Sequence, residues 1–200
     1  MGVNLTNLAN NVPDRLAMLN NMEAEANQFT AGPVSEDLKK LTAGANELFG
    51  TQFNVEGVAA QERFDKLSNQ IAQQQAGALG ITDQRERTAM GANPNSTMSS
   101  LGIHGNIALL KGNEDAIRAK ASGWQTFLDN GGTPDEFGKW STSFNQHYDP
   151  RVFQSVYLAP DDRKKLIASM SKDEQASFRD KFNYAVTQGW IPDPRSTNAQ

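Results

Sequence analysis

Residues 133–148 read Thr-Pro-Asp-Glu-Phe-Gly-Lys-Trp-Ser-Thr-Ser-Phe-Asn-Gln-His-Tyr, and this stretch carries a complete helix signature. Thr133 is a capping residue, Pro134 fits the first helical position, and Asp135 and Glu136 suit the positive end of the helix dipole. Phe137, Trp140, Phe144 and Tyr148 follow at steps of three, four and four, which places four large rings on one face. The same grammar repeats downstream. Asp149-Pro150 opens a segment with Phe153, Val156 and Tyr157 inward, and Ala159-Pro160-Asp161-Asp162 opens another with Leu166, Ile167 and Met170. Ser171-Lys172-Asp173-Glu174 is a capping box, and its helix presents Phe178, Phe182 and Ala185 before stopping at Gly189. Upstream, Asn113 fits the cap of a helix that runs past Ile117, Trp124, Phe127 and Leu128 to Asn130-Gly131-Gly132. About five short helices without a period-two strand candidate predict an all-α bundle over 113–191, followed by a tail at 192–200. Its core is predicted to hold Trp124, Trp140, Phe144, Phe153, Tyr157, Phe178, Phe182 and Trp190.

The first 90 residues differ. All three tryptophans and nine of the thirteen Phe and Tyr residues lie between 124 and 190, leaving this half only Phe29, Phe49, Phe53 and Phe64. Leu16, Leu19 and Phe29 mark one amphipathic helix beginning at Pro13; Leu38, Leu41 and Leu48 mark a second; Phe64, Leu67 and Ile71 mark a third that fades by Gly77 to Gly80. Their apolar stripes are narrow, which predicts burial against copies of the same chain or against companions, so the 1–90 region is read as an assembly element. Residues 91–112 are dense in Gly, Asn and Ser and read as a linker, although Ile103, Ile107 and Leu110 keep a helical interval within it.

Charge and composition narrow the function classes. The formal net charge is −4, with seven basic and eleven acidic residues up to position 90 and twelve of each after it, so capture of nucleic acid by charge is disfavoured. The chain has no cysteine, which removes disulfides, thiolate metal sites and thiol nucleophiles. No run approaches the length of a membrane span or a secretory leader, and the Met1-Gly2 start with Thr6 is the permissive myristoylation pattern, read here as an ordinary start. The helices' polar faces lack the Lys and Arg enrichment that anionic lipid attracts, so protein partners are preferred to membrane.

Candidate chemistry is sparse. His147 with Asp149 could be drawn as a base and its orienter, but a capping histidine is preferred, as it is for His104. Asp135-Glu136, Asp161-Asp162 and Asp173-Glu174 would invite a glycosidase reading if they faced one cleft, yet each sits where a helix dipole accounts for it. Arg163-Lys164-Lys165 is read as a solvated helix face. No catalytic, cofactor-binding or metal-ligating residue is assigned, and no cofactor is expected.

Over residues 112–192 the chain resembles the C-terminal block of small helical virion proteins of short-tailed bacteriophages, of the internal or DNA-ejection type. The residues that carry the resemblance are Trp124, the aromatic helix, Asp149-Pro150-Arg151-Val152-Phe153-Gln154, Tyr157, Pro160, Ser169-Met170-Ser171 and Gly189-Trp190-Ile191. It implies a non-enzymatic protein packaged in the particle, with itself, portal, tail or other ejection proteins as partners, and the virion or host envelope as its location. The competing expectations are a static portal or tail component, a cell-wall-degrading virion enzyme, and a helical adaptor unrelated to phages.

Overall fold

The computed structural model describes residues 2–26, 46–49, 60–80 and 102–193. Every element among them is helical: α1 (Gly2–Asn10), α2 (Val12–Ala26), α3 (Ala60–Leu79), α4 (Gly102–Asp129), α5 (Phe137–His147), α6 (Pro150–Tyr157), α7 (Pro160–Ala168) and α8 (Lys172–Thr187). A 3₁₀ turn, Pro134–Glu136, leads into α5, and residues 46–49 form a helical turn.

The helix starts after residue 130 fall where the sequence places them. Thr133 and Glu136 form a capping box, Asp149 accepts the Arg151 backbone N–H, and Ser171 and Glu174 form the second capping box. Gly131 and Gly189 have φ of 93° and 67°, the left-handed conformation that ends α4 and α8 without a Cβ penalty.

The linker reading of 91–112 is corrected in part. Residues 91–101 lie outside the described set, but 102–112 are the first half of α4, and Asn113 sits inside that helix instead of capping it. Glycine in a helix interior costs roughly 1 kcal/mol against alanine. Here the helix is kept because α6 crosses it closely: an added Cβ at Gly112 would lie 2.6 Å from the Gln154 backbone N and 2.7 Å from the Phe153 carbonyl carbon. Seven residues earlier on the same face, the Gly105 carbonyl accepts a 3.0 Å hydrogen bond from the Gln154 side chain.

The separation into an assembly region and a bundle is corrected by the same helix. α1, α2, α3 and α6 all pack against α4, and one apolar cluster joins Leu5, Val12, Ala76 and Leu79 to Ala116, Trp124, Phe144, Phe153 and Phe178. A second cluster unites Met18, Leu19, Met22, Phe49 and Ile71 with Ile107 and Leu110. Leu19 and Ile71, expected on an assembly stripe, are therefore fully buried within their own chain, and Leu16 and Leu48 are half-buried. Phe29, Leu38 and Leu41 lie outside the described residues, as do the side chains of Phe64 and Leu67 on α3. Helix α1, which no start signal marks in advance, adds Leu5 to the shared core.

The predicted aromatic core is assembled around Phe144, which lies 5.8 Å from Trp140, 6.1 Å from Tyr148 and 4.6 Å from Trp190 between ring centroids. Trp124 contacts Phe127, Phe137 and Trp140. Trp124, Phe144, Phe153 and Phe178 are buried, whereas Trp140, Tyr157, Phe182 and Trp190 keep one edge in solvent. Complete burial of one such ring stabilises by roughly 1.5–3 kcal/mol.

The α4–α6 crossing is open to direct test. Gly112→Ala should lower unfolding stability by about 1–3 kcal/mol in urea, the usual cost of overpacking, because backbone atoms block the new methyl. Gly77→Ala on α3, with no atom within 4 Å of its added Cβ, should leave stability unchanged or raise it.

Candidate functional site

The polar groups that the fold draws together lie on α4, where every residue from Ile107 to Ile117 is buried. That span includes Lys111, Asn113, Glu114 and Asp115, and Lys120 follows one turn later. Buried polar groups demand partners, and each of these finds one on another helix.

Glu114 is at the centre. Its Oε1 accepts a 2.7 Å hydrogen bond from Gln75 Nε2 on α3, and the Gln75 amide also reaches the Leu110 carbonyl at 2.9 Å. Gln75 Oε1 accepts from Asn113 Nδ2 at 3.0 Å, and the Tyr148 hydroxyl donates to Asn113 Oδ1 at 3.5 Å, so the chain of contacts ends at the C-cap of α5. Arg15 of α2 places Nη1 3.5 Å from Glu114 Oε2, while its Nε donates to the Leu48 carbonyl and its guanidinium lies 5.3 Å from the Phe49 ring centroid. Burial pushes the Glu114 carboxyl above 4.5, and Gln75 and Arg15 pull it back only in part.

Flanking this node, Lys111 Nζ lies 2.6 Å from Glu23 Oε2 on α2, and Asp115 accepts from the Tyr157 hydroxyl of α6 at 2.7 Å and from Arg118 at 2.6 Å. Burial, then the Asp115 hydrogen bond, raises the Tyr157 phenol. Lys120 donates to the carbonyl of Leu79, the last residue of α3, and approaches Asn145 Oδ1 at 3.5 Å and the Phe144 ring centroid at 5.5 Å. Its charge thus faces the negative end of a helix, and desolvation lowers it to about 8.

Two hollows open beside these joints. The larger, about 440 Å³, is a groove between α4, α5 and the end of α8, lined by Ser122, Gly123, Trp140, Ser143, Tyr184 and Trp190 among others. The smaller, about 240 Å³, lies against Arg15, Phe49 and Gln75.

The sequence-level candidates for chemistry are not brought together. His147 stacks on Tyr184 with centroids 4.1 Å apart and points Nδ1 at the Ser143 carbonyl, while Asp149 binds Arg151, which bridges to Glu174 at 3.1 Å. Glu136 and Glu174 are held below the usual carboxylate range, chiefly by the backbone N–H groups of Thr133 and Ser171 that they cap. Asp161 and Asp162 pair with Lys164 and Lys165, and Arg163 donates to the Ser155 and Leu158 carbonyls, so the basic run is held by its own neighbours. No group of three or more potential metal ligands occurs among the described residues.

Among the residues that tie the helices together, Arg15, Gln75 and Lys120 are not distinguished by local sequence. One signal does mark Glu114: it occupies the apolar stripe that runs through Ile103, Ile107, Leu110, Ile117, Ala121, Trp124 and Leu128. Comparison of the chain with protein families, curated proteins and solved structures finds no match.

Lys120 sets a pH dependence. Its pKa of about 8 lies below its unfolded value of 10.5, so the fold carries a penalty for the charged form that is complete below about 8 and relieved by 10.5. Urea unfolding across this window should show the wild type gaining stability relative to Lys120→Met, whose side chain does not titrate.

Proposed function

We propose that this chain is a non-enzymatic virion component of a tailed phage, an internal or DNA-ejection protein that works through contacts with other virion proteins or further copies of itself. The observation that carries the non-enzymatic part is the employment of its ionisable side chains. Arg15, Glu23, Lys111, Glu114, Asp115, Lys120 and Arg151 act as joints between helices. Chemistry of this kind specifies packing, and it suits a protein whose task is recognition and assembly. The phage setting is supported by the resemblance over 112–192.

The burial of Leu19 and Ile71 within the chain moves the expected partner surface elsewhere. The half-exposed aromatic wall of the groove, Trp140, Tyr184 and Trp190, offers the amphipathic rings that protein interfaces favour.

Quantitative mass spectrometry of full and DNA-emptied particles of the phage that carries the gene tests the proposal. Presence in full particles and loss on emptying is the expected result. Retention would make the protein a static portal or tail component, and absence from both would overturn the virion assignment. Clearing of purified cell wall in a zymogram by the isolated chain would overturn the non-enzymatic reading.

A further inference from the structure

We infer that the α1–α2 segment docks on α4 through a proton-linked joint centred on Glu114: the neutral carboxyl holds the segment closed, and the ionised one loosens it. The inference stands whether or not the virion reading does.

The geometry is unequal on the two oxygens. Oε1 receives the Gln75 amide, but Oε2 is buried without a hydrogen-bond partner. Its cation, Arg15, stays 3.5 Å away because other groups hold it: the Leu48 carbonyl at 3.1 Å, the Leu8 carbonyl at 3.5 Å and the Phe49 ring. A buried carboxylate with an incomplete partner set carries a desolvation cost of several kcal/mol that a neutral carboxyl avoids. Departure of α2 removes Arg15 and returns water to Glu114, so the cost belongs to the closed state alone.

Glu114 is faced directly by Arg15 of α2, Gln75 of α3 and Asp115 on α4 itself. Behind them, the Leu8 carbonyl of α1 and the Leu48 carbonyl and Phe49 ring of the 46–49 turn hold Arg15, and the Tyr148 hydroxyl at the C-cap of α5 reaches Asn113, which binds Gln75. Asp115 is a like charge and opposes ionisation. Across the same interface, His104 Nδ1 lies 3.9 Å from Glu23, the carboxylate that also binds Lys111.

The sign follows from linkage. Burial raises the closed-state Glu114 above 4.5, so the docking it favours is complete below that value and is lost as pH rises through the raised one.

Hydrogen exchange of the full chain, followed by mass spectrometry and corrected for intrinsic rates, reads the opening of residues 2–26. As pH rises from 4.5 through the raised Glu114 value, the opening constant should rise by up to about tenfold per pH unit where the one proton titrates. Amides of α5 and α8 should not follow it. Glu114→Gln, which keeps an acceptor for Gln75, should flatten the dependence, while His104→Gln should retain most of it. A flat wild-type profile, or an unchanged slope in Glu114→Gln, would overturn the inference. Should that variant fail to fold, the ¹³C titration of the Glu114 carboxyl in the wild type decides, and a midpoint at or below 4.5 sinks the proposal.

Discussion

A helix covered on all sides must satisfy every side chain it carries, and α4 is such a helix from Ile107 to Ile117. An all-apolar sequence would meet that demand by packing alone. This one contains Lys111, Asn113, Glu114 and Asp115, so the helices around it are required to bring specific polar atoms to specific heights. Glu23 of α2 answers Lys111, Gln75 of α3 answers Asn113 and Glu114, and Tyr157 of α6 answers Asp115. Sliding α3 by one turn, about 5.4 Å, would strand the Gln75 amide, the Asn113 amide and the Glu114 carboxylate at once. Each stranded group costs about 1–3 kcal/mol, and more where it is charged. The network thus sets the register of the surrounding helices more than it adds to their net stability.

The face of α4 toward α6 is governed by steric closeness. Gly112 brings the α6 backbone within a distance that no side chain permits, and Gly105 supplies a carbonyl to Gln154 on the same line. With α6 fixed, Asp149 caps its start and also binds Arg151, whose guanidinium reaches Glu174 in the first turn of α8. The capping acids noted in the sequence therefore serve twice, at a helix dipole and in a bridge between helices.

These two kinds of constraint explain what could be read from the chain. Starts such as Thr133-Pro134, Asp149-Pro150 and Ser171 to Glu174 are local events, decided by side chains within four residues, and the structure contains each of them. The start of α4 is hidden because glycine density at 102–112 signals a linker by local propensity, whereas Gly112 answers to α6, some forty residues later in sequence. The stripe of Ile103, Ile107, Leu110, Ile117 and Trp124 ran straight through the supposed boundary and was the evidence for one continuous helix. Arg15 and Gln75 meet Glu114 across 99 and 39 positions of sequence, and Lys120 meets Leu79 across 41. Nothing within a local window connects such pairs.

The continuity of α4 also changes what the N-terminal helices mean. Narrow stripes on α2 and α3 fit association between copies equally well, because the same apolar area is buried whichever surface covers it. The polar joints separate the two cases. Arg15, Glu23 and Gln75 each meet a complementary group on α4 of their own chain, at a position set by the same helices that bury Leu19 and Ile71. A surface evolved only to meet another copy would have no reason to place a cation, a carboxylate and an amide opposite those partners within one chain. The N-terminal helices are consequently the cover of the central helix, and the partner surface proposed for this chain lies outside that contact.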